Sequence, residues 1–266
     1  MRGVARGLLA MAVCVLGAAA VSSGVALAAS QASSLALQQP MGPMSPREMA
    51  DMMQMDDARP FATLSFDELE ARDTHSGTAA AWDSEGWYGG DYNKIRLRSE
   101  GERLNGVTSD ASAELLWDRI VTRWWSLQLG ARHDFGNGPG RTWAAMGIEG
   151  TAPYGIATQA TVYVGEEGRT AARLKLEYDL YLTQRWILRP KVELNVYGSA
   201  DSERHLGAGL SDAQIGIRMR YEFRREFAPY VGLDWLRLAG STSELRRAAG
   251  GSASDLQFVA GLKFWF

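Results

Sequence analysis

Six methionines lie close together near the start of this chain. They fall within fifteen residues and are six of its ten methionines: Met41, Met44, Met49, Met52, Met53 and Met55. Residues 41–57 also hold two prolines and four acidic residues but almost no other apolar residue, so this segment offers no core for these side chains to fill. A thioether is a soft ligand that favours soft ions such as Cu(I) over hard cations. The six residues are therefore candidate metal ligands, and Asp51, Asp56 and Asp57 would add a negative field that concentrates cations.

Two other interpretations of the methionines stay open. Met49, Met52 and Met53 fall at i, i+3 and i+4, the spacing of one face of a short amphipathic helix. Residues 29–60 are also rich in Ala, Ser, Gln, Pro and Met without alternating apolar positions, which is typical of a flexible linker. We therefore predict a flexible, disordered Met-rich arm over residues 29–60.

The first 28 residues predict a secretory signal peptide. Two arginines precede an apolar run over residues 8–21, and an Ala-Leu-Ala cleavage site ends at Ala28. A single membrane anchor is the alternative, but the run is short and no stop-transfer pattern follows it. Cys14, the one cysteine of the chain, lies within this segment. The mature chain would therefore contain no disulfide, thiolate metal site or cysteine nucleophile.

From residue 93 to the end of the chain, apolar and polar side chains alternate in short stretches. In the stretch 169–182, Leu174 and Leu176 fall on one face, and Arg173 and Lys175 fall on the other. Such alternation is typical of β-strands with one apolar and one polar face. We predict ten strands, at 93–103, 109–120, 124–134, 142–151, 155–165, 169–182, 185–197, 212–223, 227–238 and 255–266.

The connections between these strands point to a membrane barrel. Tight turns such as 152–154 alternate with longer polar loops such as 198–211 and 239–254, as they do in bacterial outer-membrane barrels. In lipid every backbone N–H and C=O must be paired within the protein, so a sheet can span the membrane only if it closes into a barrel. We predict an all-β, antiparallel transmembrane β-barrel over residues 93–266, of about ten strands. Residues 61–92 form either a plug or an extra hairpin that raises the count to twelve. A soluble secreted β-sandwich or lipocalin-like barrel is the alternative.

The polar face of the strands would line the lumen. Because opposite charges are well mixed there, we predict a paired polar network, with a cation path bordered by the acids as the alternative. The inward-facing charges would be Arg173, Lys175, Glu177, Asp179, Arg189, Lys191, Glu193, Arg218, Arg220, Glu222 and Asp234. Among the histidines, His133 beside Asp134 joins the candidate metal ligands, whereas we interpret His75 and His205 as surface or rim residues.

One segment, FDELEARDTHSGTAAAWDSEGWYGGDYNKIRLRSEGE, from Phe66 to Glu102, resembles the copper resistance protein B family. The likeness lies in the spacing of its LE pair, AWD, GWYGGDYNK and EGE, and continues more loosely to Phe266. It implies an outer-membrane barrel of a bacterial copper-tolerance system, with copper as bound cargo rather than as a catalytic cofactor. It also suggests a periplasmic multicopper oxidase as a partner. The family's arm commonly contains histidine and this arm has none, which favours Cu(I) over Cu(II) or weakens metal binding altogether.

The sequence thus predicts a non-enzymatic protein of the bacterial outer membrane with its arm in the periplasm. It would contact outer-membrane lipid, bind copper ions, and sequester them or help to move them across the membrane. The formal net charge of −3 gives no sign of nucleic-acid binding. One alternative is an outer-membrane lipid-modifying enzyme, which needs a Ser–His pair, and Ser202 and His205 are the nearest such pair. Another is a non-catalytic structural or adhesive small barrel.

Overall fold

The strands of this protein follow one another with few interruptions. The computed structural model describes Met52, residues 60–136, 138–248 and 250–266. Its strands are β1 (Phe61–Thr74), β2 (Gly77–Gly89), β3 (Asn93–Leu104), β4 (Val107–Ile120), β5 (Trp125–Gly136), β6 (Arg141–Ala152), β7 (Ile156–Gly165), β8 (Thr170–Glu177), β9 (Leu180–Tyr181), β10 (Trp186–Tyr197), β11 (Gly209–Tyr221), β12 (Phe227–Leu238) and β13 (Ser254–Trp265). The predicted signal peptide lies outside the described residues, as does the arm apart from Met52 and Pro60.

These strands form one closed antiparallel barrel. Apart from the short β9, each strand pairs with the next along the chain, and β13 pairs with β1, so that the ring is closed. The short β9 continues β8, because both pair with β10. The break between them lies opposite Pro190, which has no N–H to donate to the ladder. The barrel therefore has twelve strands, the larger of the two counts that the sequence allowed, and the predicted all-β membrane-barrel fold is confirmed.

Residues 61–89 supply the hairpin that completes the ring. Strand β1 pairs with β13 on one side and β2 on the other, and β2 pairs with β3. A β-bulge between Phe66 and Glu68 makes Asp67 an extra residue in β1. As a result, Phe66 and Leu69, which pair with Phe264 and Leu262, are three residues apart instead of two. This shift breaks the period-two pattern and explains why alternation alone did not reveal β1.

The two faces of the barrel wall differ as expected for a protein surrounded by lipid. Large apolar side chains are exposed on the outside, including Leu97 at 56%, Met146 at 58% and Phe258 at 64%. Charged side chains are buried on the inside, including Arg218 at 4% and Asp234 at 0% exposure. A soluble β-sandwich would bury its apolar face and expose its charged one, so this arrangement excludes that alternative.

The two ends of the barrel differ in their connections. At one end, five short turns join the strands, at 90–92, 121–124, 153–155, 182–185 and 222–226, and the chain enters β1 and leaves β13 there. We call this the turn end, and exposed aromatic residues, including Trp124, Tyr154 and Trp186, lie near it. Short turns face the periplasm in barrels of this kind.

The opposite end, which we call the loop end, carries two long loops, 198–208 and 239–253. The second loop contains a helix, Gly240–Ala248. Thr242 of this helix accepts a hydrogen bond from the backbone N–H of Gly207 at 2.8 Å and contacts the Ser211 hydroxyl at 3.1 Å. These contacts pack the two loops against each other at the rim. Within the part of the chain that the structure describes, no helix has the length and apolar character needed to cross a membrane.

Candidate functional site: the barrel lumen

Two cavities of different size lie in the lumen among the described residues. The larger, which we call the vestibule, has a volume of about 620 Å³ and is lined by residues of the long loops and of the loop-end half of the strands. The smaller, which we call the inner cavity, has a volume of about 50 Å³ and lies nearer the turn end. Four residues line both cavities, and they mark the boundary between them: Asp83, Glu100, Ser112 and Arg173.

Ion pairs across the lumen close this boundary. Arg173 on β8 donates from Nε to Glu193 Oε1 at 2.9 Å on the neighbouring β10 and pairs across the lumen with Glu100 on β3. Lys175 on β8 pairs with Asp83 on β2 at 2.8 Å. Strands β2 and β8 lie on opposite sides of the ring, so this second pair spans the barrel. We call Arg173–Glu100 and Lys175–Asp83 the cross-lumen layer.

A second group of ion pairs packs against one side of the wall. Arg218 on β11 donates to Asp234 on β12 at 2.7 and 3.1 Å and to Glu70 on β1 at 3.1 and 3.3 Å. The Tyr230 hydroxyl also donates to Glu70, at 2.9 Å. Gly216 makes room for this cluster, because a Cβ there would lie 2.0 Å from Asp234 Oδ1. These buried charges are paired and hydrogen-bonded, as buried charges must be.

A third group lies near the turn end, and we call it the turn-end cluster. Arg98 donates to Glu85 at 2.7 Å and pairs with Glu149 on β6. Arg96 pairs with Asp118 at 2.8 Å. The cluster joins β2, β3, β4 and β6, which lie on the same side of the ring.

The structure therefore shows the paired polar lumen that the sequence predicts. The basic residues on β8, β10 and β11 were identified from their alternation, but four of their nine acidic partners were not. These partners lie on the first three strands: Glu68, Glu70, Asp83 and Glu100. Glu68 and Glu70 follow the bulge of β1, where the alternation restarts. A strand pattern that allows one extra residue at a bulge would have predicted that both face the lumen.

Both cavities carry an excess of negative charge. The vestibule is lined by eleven carboxylates and seven Lys or Arg side chains, and the inner cavity by five carboxylates and three basic side chains. A low-dielectric wall focuses the field of such an excess and raises the local concentration of cations. The lumen is therefore an environment that favours cations over anions.

The structure separates His133 from its sequence neighbour Asp134. His133 is exposed on the outer face of β5, where its Nδ1 lies 2.9 Å from the Thr142 hydroxyl. Asp134 points inward, is buried, and accepts hydrogen bonds from Trp143 at 2.8 Å and Arg132 at 2.5 Å. The two side chains therefore do not form a pair.

The other candidate metal ligands lie in or near the arm. Met52 is helical and 55% exposed. The remaining five lie outside the described residues: Met41, Met44, Met49, Met53 and Met55. Over residues 60–136, 138–248 and 250–266, no three or more His, Cys, Asp or Glu side chains converge in a way that would hold a metal ion. The other two histidines, His75 and His205, line the vestibule.

A carboxylate anchors the loop 198–208 to the barrel rim. Asp201 is 8% exposed and accepts a hydrogen bond from Arg141 Nε at 3.0 Å, while Glu203 pairs with the same guanidinium at 2.7 Å. Burial acts to raise the pKa of Asp201, but the hydrogen bond and charge of Arg141 outweigh it and hold this pKa below its usual value. The ionised form therefore stabilises the docked loop.

We expect this loop to loosen in acid. A carboxyl whose pKa is depressed on folding contributes stability above its unfolded pKa, about 3.9, and loses that contribution as the pH falls through the lower folded value. Hydrogen exchange, corrected for intrinsic rates, should show protection of 198–208 at pH 7 that declines below about pH 4. Asp201→Asn should reduce this protection at pH 7 and flatten its dependence on pH. Equal protection in both proteins would show that the ion pair does not hold the loop.

Comparison with known proteins yields a family match and two similar chains. The family described as Copper resistance protein B precursor (CopB) matches residues 60–266. A copper resistance protein B homolog of Pseudomonas syringae pv. tomato is 46% identical over 200 residues, covering 75% of this chain and 68% of the relative. A copper resistance protein B of Escherichia coli is 44% identical over 201 residues, covering 76% of this chain and 68% of the relative.

A solved porin structure has a similar barrel. The NanC porin, solved in a rhombohedral crystal form, is 12% identical, with a TM-score of 0.52 over 76% of this chain and 98% of the porin. At this identity the likeness concerns the fold alone.

Proposed function

The chain belongs to the copper resistance protein B family and lies in the bacterial outer membrane, and we propose that it binds copper ions at the periplasmic side of that membrane. Its role would be to contribute to copper resistance by sequestering these ions or by helping to move them across the membrane. The observation that carries the proposal is the set of six methionines on the segment that leads into β1.

The topology of the barrel supports a periplasmic position for this segment. The chain enters β1 at Phe61, at the turn end, and short turns face the periplasm in outer-membrane barrels. Residues 29–60 would therefore meet copper that has entered the periplasm. Copper is cargo in this proposal, and no catalytic role is assigned to it.

The ligand chemistry favours Cu(I). Thioether sulfur selects soft ions, and the arm contains no histidine that would serve Cu(II) equally well. The candidate ligands remain Met41, Met44, Met49, Met52, Met53 and Met55, with His133 as an outlying candidate on the barrel wall. Ordering a flexible segment around one ion costs conformational entropy for each residue that is fixed, so the affinity would be modest. Modest affinity suits capture and transfer, and a periplasmic multicopper oxidase is the partner that we infer for that transfer.

We propose that the protein is not an enzyme. The nearest candidate pair for lipid hydrolysis, Ser202 and His205, lies in the loop 198–208, where the backbone N–H of His205 donates to the carbonyl of Ser202 at 3.3 Å. Such a backbone contact does not activate a serine hydroxyl. Release of fatty acid from phospholipid by the purified barrel would contradict this part of the proposal.

Copper tolerance in cells tests the function as a whole. In a copper-sensitive strain, the full chain should restore growth on copper, whereas a chain lacking residues 29–60 but retaining its signal should restore much less. Outer-membrane fractionation should confirm that both proteins reach the membrane in equal amounts. If the full chain conferred no tolerance, a structural or adhesive role would replace copper handling. Equal copper tolerance from both chains would show that residues 29–60 do not contribute to copper resistance.

A further inference from the structure

We propose that the lumen is a conduction path for small cations and that the cross-lumen layer is the point at which this path is closed. Sequestration of copper by the arm requires no open lumen, so this inference goes beyond that role. For movement of copper across the membrane it rests on the proposed function and names the route. The geometry points to it, because the vestibule and the inner cavity share the boundary residues Asp83, Glu100 and Arg173, whose ion pairs form the layer.

The layer differs from the other ion pairs in what it joins. Among the described pairs whose two members both lie in strands, Lys175–Asp83 and Arg173–Glu100 join strands that are farthest apart around the ring. The turn-end cluster, by contrast, joins strands on one side of the barrel. Within the part of the chain that the structure describes, the four side chains of the layer, and no strand or loop, therefore connect β2 and β3 with β8. Side chains can leave such positions by rotamer changes that cost far less than moving a strand.

The charges of the layer explain why cations would pass rather than anions. A cation that arrives from the vestibule can take the place of Lys175 beside Asp83, or of Arg173 beside Glu100, so no carboxylate is left without a counter-charge. An anion would have to compete with the carboxylates for the same two basic groups and would meet a net negative lining on both sides. Arg173 and Lys175 are therefore cations fixed to the barrel wall, and mobile cations can replace them beside Glu100 and Asp83.

Glu114 provides an acceptor on the far side of the layer. It lines the inner cavity and is 3% exposed, and its Oε1 accepts a hydrogen bond from the Tyr163 hydroxyl at 2.7 Å. Its Oε2 is buried and has no hydrogen-bond partner within the described residues, since the Arg98 guanidinium lies 3.8 Å away. A buried carboxylate oxygen without a donor is costly. A cation or its bound water in the inner cavity would satisfy this atom.

Conductance across a planar lipid bilayer in KCl tests the proposal, with K⁺ and Cl⁻ as the probes. The double variant Arg173→Ala, Lys175→Ala should raise the single-channel conductance several-fold over the wild type, and under a KCl gradient the reversal potential should move toward that of K⁺. Adding Asp83→Asn and Glu100→Gln should keep the higher conductance but reduce the preference for K⁺. Because the test contains no copper, its failure is distinguishable from failure of the proposed function.

Arg189→Ala is the matched control. Arg189 also faces the lumen, but its bidentate pair with Asp179, at 2.6 and 2.8 Å, joins β10 to the neighbouring break between β8 and β9 and does not cross the lumen. This variant should keep the wild-type conductance, and an equal rise would show general loosening of the barrel. Folding of each variant is checked by its heat-modifiable mobility in gels. If the double variant does not fold, Lys175→Met, which keeps the apolar stem, should give a smaller rise. A folded variant of the layer with wild-type conductance and selectivity would overturn the proposal.

Discussion

Replacing the six arm methionines with leucine is expected to abolish stoichiometric Cu(I) binding by the purified full-length protein. The replaced residues are Met41, Met44, Met49, Met52, Met53 and Met55. Leucine is similar to methionine in size and apolarity but has no sulfur, so the substitution removes the soft ligand and keeps the apolar pattern. A short amphipathic helix would survive this change, and a metal site would not. We expect the apparent affinity to fall at least ten-fold in a competition titration against a Cu(I) chelator.

The barrel itself provides the control for this experiment. Met146 and Met219 lie in β6 and β11, and Met146 is 58% exposed on the outer face. Leucine at these two positions should leave Cu(I) binding unchanged. If the six-leucine protein bound as much Cu(I) as the wild type with the same affinity, the arm would not be the binding site. If instead the two barrel methionines proved necessary, the ligands would have to be sought within the membrane.

Arg218→Ala is expected to destabilise the barrel more than any exposed substitution. The guanidinium of Arg218 is the shared partner of Glu70 and Asp234, whose side chains are both 0% exposed. Removing it leaves the buried Asp234 without a counter-charge, whereas Glu70 keeps Arg72 at 2.6 Å and the Tyr230 hydroxyl at 2.9 Å. Breaking a buried pair in this way costs about 3–5 kcal/mol. Urea unfolding in lipid vesicles, followed by tryptophan fluorescence, should show a loss of this order in the free energy of unfolding.

Two further variants separate the causes of this loss. Arg218→Lys keeps the charge but cannot bind Asp234 through two nitrogens, so it should lose an intermediate amount. Arg247→Ala removes an exposed arginine from the loop helix and should change the free energy of unfolding by no more than about 0.5 kcal/mol. A loss for Arg218→Ala as small as that for Arg247→Ala would mean that water enters the lumen and solvates the Asp234 carboxylate.

The sequence by itself determined the kind of barrel that this protein forms. Alternation such as that of Arg173, Leu174, Lys175 and Leu176 is a local property, because successive side chains on a strand point to opposite faces whatever the strand pairs with. The apolar and polar faces of the strands, together with the connection lengths, predicted a sheet that spans a lipid membrane. Such a sheet must close into a barrel, because lipid offers no hydrogen-bond partner to the backbone N–H and C=O groups of an open edge. The mixed charges on the polar face likewise predicted a paired lumen.

Only the tertiary structure decided how many strands close the ring and which charges meet inside it. The bulge at Asp67 interrupts the period-two pattern of β1, so the sequence left residues 61–92 as either a plug or an extra hairpin. The pairing of β1 with β13 shows that the hairpin completes a ring of twelve strands. Lys175 and Asp83 are 92 residues apart in the chain and meet only because the closed ring places β8 opposite β2. His133 and Asp134 are adjacent in sequence, yet the pleat turns them to opposite faces of the wall. Spacing along a strand fixes the face of a side chain, but its partner across a lumen depends on closure and register, which no local pattern contains.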